Sequence, residues 1–150
     1  MKYKLLTDET IVHNGVTLYR IQSLSNFSDV KSGDKGGWIE KESNLSQYDN
    51  AWIYDKARVY GNAQVYTDAK VYGNAWIYDN AKIYDNAWIY DNARVYDNAR
   101  VYDNARVYRD AEVYDNAWIY DKARVYGNAI VYGAAEVHGN SEVFRNTEIY

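Results

Sequence analysis

Cysteine is absent from this 150-residue chain, so neither a disulfide framework nor a thiolate metal site is available. Proline is absent as well. A basic excess is also missing: residues 1–48 carry six Lys/Arg against six Asp/Glu, and residues 49–150 carry eleven against fifteen. That balance lacks the electrostatic footprint of a nucleic-acid binder. No apolar run approaches the roughly twenty residues of a membrane span, and the opening MKYKLLTDET holds none long enough for a signal peptide. The expectation is a cytoplasmic protein with no membrane or nucleic-acid partner.

What the chain has instead is tyrosine, eighteen in all, and a repeat. Residues 49–150 are seventeen hexads of the form (Asp/Gly)-Asn-Ala-x-(Val/Ile)-Tyr. The fifth slot is Val or Ile in every hexad, and the sixth is Tyr except at His138 and Phe144. An aliphatic branched residue every six positions would be wasted in a disordered chain. Strict repetition of short units points to a solenoid whose units stack along one axis.

Ala-x-(Val/Ile) alternates with period two, which puts Ala and the branched residue on one face of a strand and the middle residue on the other. Charged, polar or long amphipathic side chains dominate the middle slot and, Trp aside, only Ile130 there is plainly apolar. The middle slot therefore faces solvent and the other two face inward. Asp or Gly stands in the first slot of fourteen hexads and Asn in the second slot of twelve, as a corner requires, because these residues enter left-handed backbone cheaply or bond their own backbone in turns. Strand and corner in alternation wrap the chain into a prism whose parallel strands stack about 4.8 Å apart.

Val-Tyr-Asp-Asn-Ala-Arg, an aliphatic residue followed four positions later by a small one, resembles the hexapeptide-repeat signature of left-handed parallel β-helix proteins. Gly36-Gly37-Trp38-Ile39-Glu40, then Asn44-Leu45-Ser46-Gln47 and Trp52-Ile53-Tyr54, resembles the opening of the bacterial and phage branch of that family, whose members are often labelled transferases. The resemblance implies an all-β, left-handed parallel β-helix with three hexads per coil, about six coils in the repeat. Residues 1–48 do not repeat and are expected to form an N-terminal β cap with a lead-in loop. Asn14-Gly15 between Ile11–His13 and Val16–Ile21 is a strong hairpin signal. Residues 25–37 read as loop.

With eighteen residues per coil, one face reads Trp52, Lys70, Trp88, Arg106, Arg124, Glu142. A second reads Arg58, Trp76, Arg94, Glu112, Ile130, Glu148, and a third Gln64, Lys82, Arg100, Trp118, Glu136. Trp52, Lys70, Trp88, Arg106, Trp76, Arg94 and Trp118 are the candidate binding residues, since Trp and Arg dominate interface hot spots. Asp85, Asp103 and Asp121 would stack in one column and Asp79, Asp97 and Asp115 in another; turn formation explains them better than a cation, and no metal or other cofactor is expected.

The resemblance also raises an acyltransferase, a family activity that uses a histidine near a corner or loop. His13 sits beside the hairpin turn and reads as a cap residue, while His138 occupies a tyrosine slot and reads as decay of the repeat. No loop interrupts the hexads to form a pocket. The expectation is a non-catalytic structural or protein-interaction module with no catalytic residue. Carbohydrate binding on the Trp faces is the alternative, and a weak homodimer through the C-terminal coil is a further expectation.

Overall fold

The structure, a computed structural model, describes residues 1–150. Strand β1 (Tyr3–His13) and β2 (Val16–Ser23) form an antiparallel hairpin about Asn14-Gly15. β3 (Lys35–Ile39) pairs antiparallel with β2, and parallel with the strand Arg58–Val59 of the repeat. The expected loop over residues 25–37 thus ends in a strand. Gly36 and Gly37 lie in that strand, and glycine is required at both because the coil beneath leaves no room for a side chain. A Cβ on Gly36 would lie 2.5 Å from the Ile53 carbonyl oxygen, and one on Gly37 2.6 Å from that of Ala57. A 3-10 turn, Glu42–Asn44, leads into the repeat.

The repeat forms a parallel β-solenoid of about six coils, built from seventeen two-residue strands, one per hexad. Each strand pairs with the one eighteen residues on, as Trp52 with Lys70 and Lys70 with Trp88. Three hexads therefore make one coil, and the walls are three sheets of six, nine and five strands, the second including the hairpin and β3. The Trp52, Arg58 and Gln64 faces are named here for their first rungs.

Period-two alternation decides what fills the interior. Ala51 to Ala135 in the third slot and Ile53 to Val143 in the fifth are buried, in one apolar cluster of 37 residues that also takes in Tyr3, Ile21 and Leu45. Burying a Val or Ile is worth about 1.5–3 kcal/mol, set against the entropy of ordering each residue. Between coils, Trp88 N–H donates to Ala105 (3.0 Å), Tyr90 to Val107 (3.0 Å) and Asn92 to Arg109 (2.9 Å), and this pattern recurs along the rod.

The corners explain their own composition. Every first-slot residue from Asp55 to Arg145 has positive φ, including Thr67 (64°), Arg109 (59°) and Arg145 (60°), which lack glycine's freedom. At Thr67 and Arg109 the backbone N–H is held by a carboxylate one coil earlier, Asp49 for Thr67 and Asp91 for Arg109. The predicted Asp columns do form, and four of their six members, Asp97, Asp103, Asp115 and Asp121, are spent in the same way. Asp97 accepts from Asp115 N–H (3.3 Å), Asp103 from Asp121 N–H (3.2 Å) and Asp121 from Gly139 N–H (3.0 Å).

Sixth-slot rings stack into three ladders beside the corners, with centroids 4.7 Å apart at Tyr90–Tyr108 and 4.9 Å at Tyr84–Tyr102. His138 and Phe144 occupy ladder positions over Tyr120 and Tyr126. Burial pushes the phenols of Tyr72, Tyr78 and Tyr102 up to about 12, aided by the neighbouring rings that would also ionise.

Candidate functional site

Residues 24–34, between β2 and β3, fold back across the N-terminal end of the Trp52 face. The loop is closed by paired backbone bonds between Phe27 and Val30 (2.9 and 2.8 Å) and by Ser32 N–H donating to Asn26 Oδ1 (2.8 Å). Phe27 packs edge-on against Trp52 (5.4 Å), and Tyr3 does so too (6.1 Å). Trp52 is consequently 1% exposed and is removed from the candidate binding residues. Its indole anchors the loop, an apolar contact no local pattern in the repeat announces.

Asp29 projects from that loop to the face. It accepts a hydrogen bond from Tyr54 Oη (2.7 Å) and pairs with Lys70 Nζ (3.7 Å). The Tyr54 hydroxyl, then Lys70, hold the Asp29 carboxyl below the ordinary carboxylate range, outweighing its partial burial. Burial, then Asp29 itself, drives the Tyr54 phenol upward. Next along the face, Trp88 lies between two cations, with Lys70 Nζ 5.9 Å and Arg106 Cζ 4.3 Å from its ring centroid.

Two concavities flank this Lys70–Trp88 ridge. One, of about 240 Å³, is lined by Asp29, Tyr54, Asp55, Lys70, Tyr72 and Trp88. The other, of about 350 Å³, is lined by Ser28, Asn50, Asp68, Lys70, Asn86, Trp88, Asn104 and Arg106. The expectation that nothing in this chain forms a pocket is corrected: the loop that does so precedes the repeat rather than interrupting it.

The candidate residues thus separate by face. Lys70, Trp88 and Arg106 come together at the groove. Trp76 lies on the Arg58 face between Arg58 (5.8 Å) and Arg94 (4.4 Å), and Trp118 on the Gln64 face beside Arg100 (5.3 Å). Trp76 and Trp88 thus each lie between two cations of their own face, Arg58 and Arg94 for Trp76 and Lys70 and Arg106 for Trp88. The ion pairs are Lys2–Asp49, Lys35–Glu9 and Lys70–Asp29, and Asp121 otherwise approaches only His138, so the outward arginines, Arg106 among them, have no acid in ion-pair range.

Neither histidine reaches the groove. His13, 6% exposed, packs edge-on against Trp76 (4.3 Å) and Tyr60 (5.2 Å), beside the Arg58 guanidinium. Burial, then Arg58 and Arg94, hold its imidazole below the usual histidine range and keep it neutral. His138 is exposed, with Nδ1 4.0 Å from Asp121 Oδ2. Asp29 and Tyr54 went unread in the sequence, although Phe27 and Val30 in an otherwise polar stretch signal a loop that docks.

The fold is a parallel β-solenoid built on a six-residue repeat. Residues 87–101, 99–114 and 123–139 match the family described as YdcK Beta solenoid repeat. A relative from Escherichia coli (strain K12), named uncharacterized acetyltransferase YdcK, is 49% identical over 41 residues, which are 27% of this chain and 13% of that protein. That match overturns the expectation of a non-catalytic module, because the similar protein carries a transferase name. No helix of the structure is long and apolar enough to cross a membrane.

Proposed function

We propose that the protein is an acyltransferase-like β-solenoid that takes an anionic ligand with a planar group, of the acyl-donor class, in the groove at Lys70 and Trp88. The observation that carries this reading is the Arg106 guanidinium, 4.3 Å from the Trp88 ring centroid with no carboxylate in ion-pair range, lining a concavity of about 350 Å³ together with Lys70 and Trp88. A stacked guanidinium keeps its in-plane N–H donors free for a phosphate or carboxylate. The Asn50, Asn86 and Asn104 side chains line the same concavity and add neutral donors and acceptors. The name of the Escherichia coli relative supports acetyl as the group transferred.

Titration of acetyl-coenzyme A, followed by tryptophan fluorescence, tests the reading. Lys70→Glu and Arg106→Glu are each expected to weaken binding at least about tenfold, the equivalent of about 1.4 kcal/mol. Arg94→Glu, on another face, leaves it unchanged. Absence of binding at millimolar ligand, or equal affinity in all three variants, overturns the proposal.

A second reading rests on the outward arginines without acid partners, which fit an acidic protein surface. A partner that co-purifies with the wild type and is lost from Arg94→Glu supports it; one retained by that variant counts against it.

A further inference from the structure

Lys82, Arg100, Trp118 and Glu136 stand in register on successive rungs of the Gln64 face, in the order cation, cation, indole, anion. This face carries neither the hairpin nor the loop: the hairpin extends the Arg58 sheet and the loop covers Trp52. Beside it at the N-terminal end lies only the 3-10 turn, through the bridge from Leu45 to Val65. Trp118 is 37% exposed. It also differs from Trp76 and Trp88 in its neighbours. Each of those lies between two cations, whereas Trp118 has Arg100 on one side and Glu136 on the other.

We propose that the Gln64 face is the docking surface for a second copy of this chain, laid antiparallel along it. A two-fold axis along the strand direction, midway between the Arg100 and Trp118 rungs, reverses the solenoid axis and keeps each lateral position. Lys82 then faces the second copy's Glu136, and Arg100 faces the second copy's Trp118, with both pairs repeated by the symmetry. Trp118 gains in this way the second cation that the other outward indoles find within their own ladder. A parallel arrangement would instead set Lys82 against Lys82 and Arg100 against Arg100, which like-charge repulsion disfavours.

The other faces fit this operation less well. On the Trp52 face the equivalent axis, between Trp88 and Arg106, opposes Lys70 to Arg124. The Arg58 face has an inverted order too, Arg58, Trp76, Arg94, Glu112, Ile130, Glu148, but the hairpin turn occupies one end of it. There His13 packs on Trp76 and Tyr60 beside Arg58, in the space the second copy's Glu148 end would need.

Four rungs about 4.8 Å apart on a wall six residues wide, at about 3.3 Å per residue, offer about 400 Å² of flat area per copy. A standard stable interface takes about 800 Å² from each partner. The dimer is therefore weak and salt-sensitive, held by two ion pairs and two cation–indole contacts. It is independent of the groove, since neither Lys70 nor Arg106 takes part.

Sedimentation equilibrium at low salt, from about 10 μM to about 1 mM protein, measures it. The wild type is expected to dimerise within that range and to dissociate at high salt. Lys82→Glu and Glu136→Lys each weaken association at least about tenfold, and the two reversals combined restore it to within about threefold of wild type. Both residues point outward, and unchanged circular dichroism verifies that each variant folds. Reversing Arg94 and Glu112 on the Arg58 face leaves the dimer unaffected. A wild type that stays monomeric at about 1 mM, single reversals without effect, or a double reversal that fails to recover would each overturn the proposal.

Discussion

Val101→Asp probes the inward wall at its centre. Val101 is fully buried and pairs with Ile83 on one coil and Ile119 on the next, so no water can follow the carboxylate inward. Losing the buried valine costs about 1.5–3 kcal/mol. An uncompensated buried charge adds about 3–5 kcal/mol, for a total of roughly 5 kcal/mol or more. That sum rivals the whole stability of an ordinary domain, about 5–15 kcal/mol. Urea titration followed by far-ultraviolet circular dichroism reads the loss, and hydrogen exchange locates it, with protection falling first in the coils of Ile83 and Ile119. The introduced carboxyl is neutral in acid, so the deficit shrinks at pH values below the ordinary carboxylate range. Arg100→Asp, one residue earlier and pointing outward over Trp118, costs about 1 kcal/mol or less. Equal losses at the two sites, or a Val101→Asp variant within about 1 kcal/mol of wild type, would refute the alternation on which the fold rests.

Trp52→Ala removes the indole that Phe27 and Tyr3 cover; a loss of about 3–5 kcal/mol is expected, with increased protease sensitivity across residues 24–34. Gly36→Ala places a methyl against the Ile53 carbonyl and the Ile21 side chain, so thermal denaturation should show a cost of about 1–3 kcal/mol. Alkali tests the ring ladders: the phenols of Tyr72, Tyr78 and Tyr102 ionise near 12 in the folded chain against about 10 when free. Their contribution is complete below pH 10 and is lost as pH rises from 10 through 12, where the unfolded chain gives up the protons first. Absorbance at alkaline pH should therefore show delayed ionisation ending in cooperative unfolding; a simple titration of all tyrosines near 10 would contradict the stacking.

Local chemistry made the repeat legible. Ala and Val/Ile two apart specify a wall, and Asp, Gly and Asn specify a corner, so the buried set from Ala51 to Val143 follows from the hexad alone. The number of walls was not legible, because all three sheets use the same hexad and nothing in the residues counts them. Pairing across eighteen residues, Trp52 with Lys70, supplies that number. Contacts between the non-repeating residues and the repeat were equally silent. Gly36 and Gly37 read as loop, and nothing local announces the close approach of Ile53 and Ala57 that requires glycine in a strand there. Trp52 looked like its counterparts at 76, 88 and 118, and only the folding back of Phe27 distinguishes it. The groove was missed for the same reason, since Asp29 and Lys70 are forty-one positions apart in the chain.

Because the three walls share one hexad while the coil takes three, length and orientation in this rod are set by separate rules. Adding eighteen residues lengthens the rod and leaves every downstream side chain pointing the way it did before. Adding six preserves the lining and the bends, yet swings everything beyond the insertion through a third of a revolution. The row of Lys70, Trp88 and Arg106 would then break across two sides, so recognition can be erased by an edit that stability barely registers.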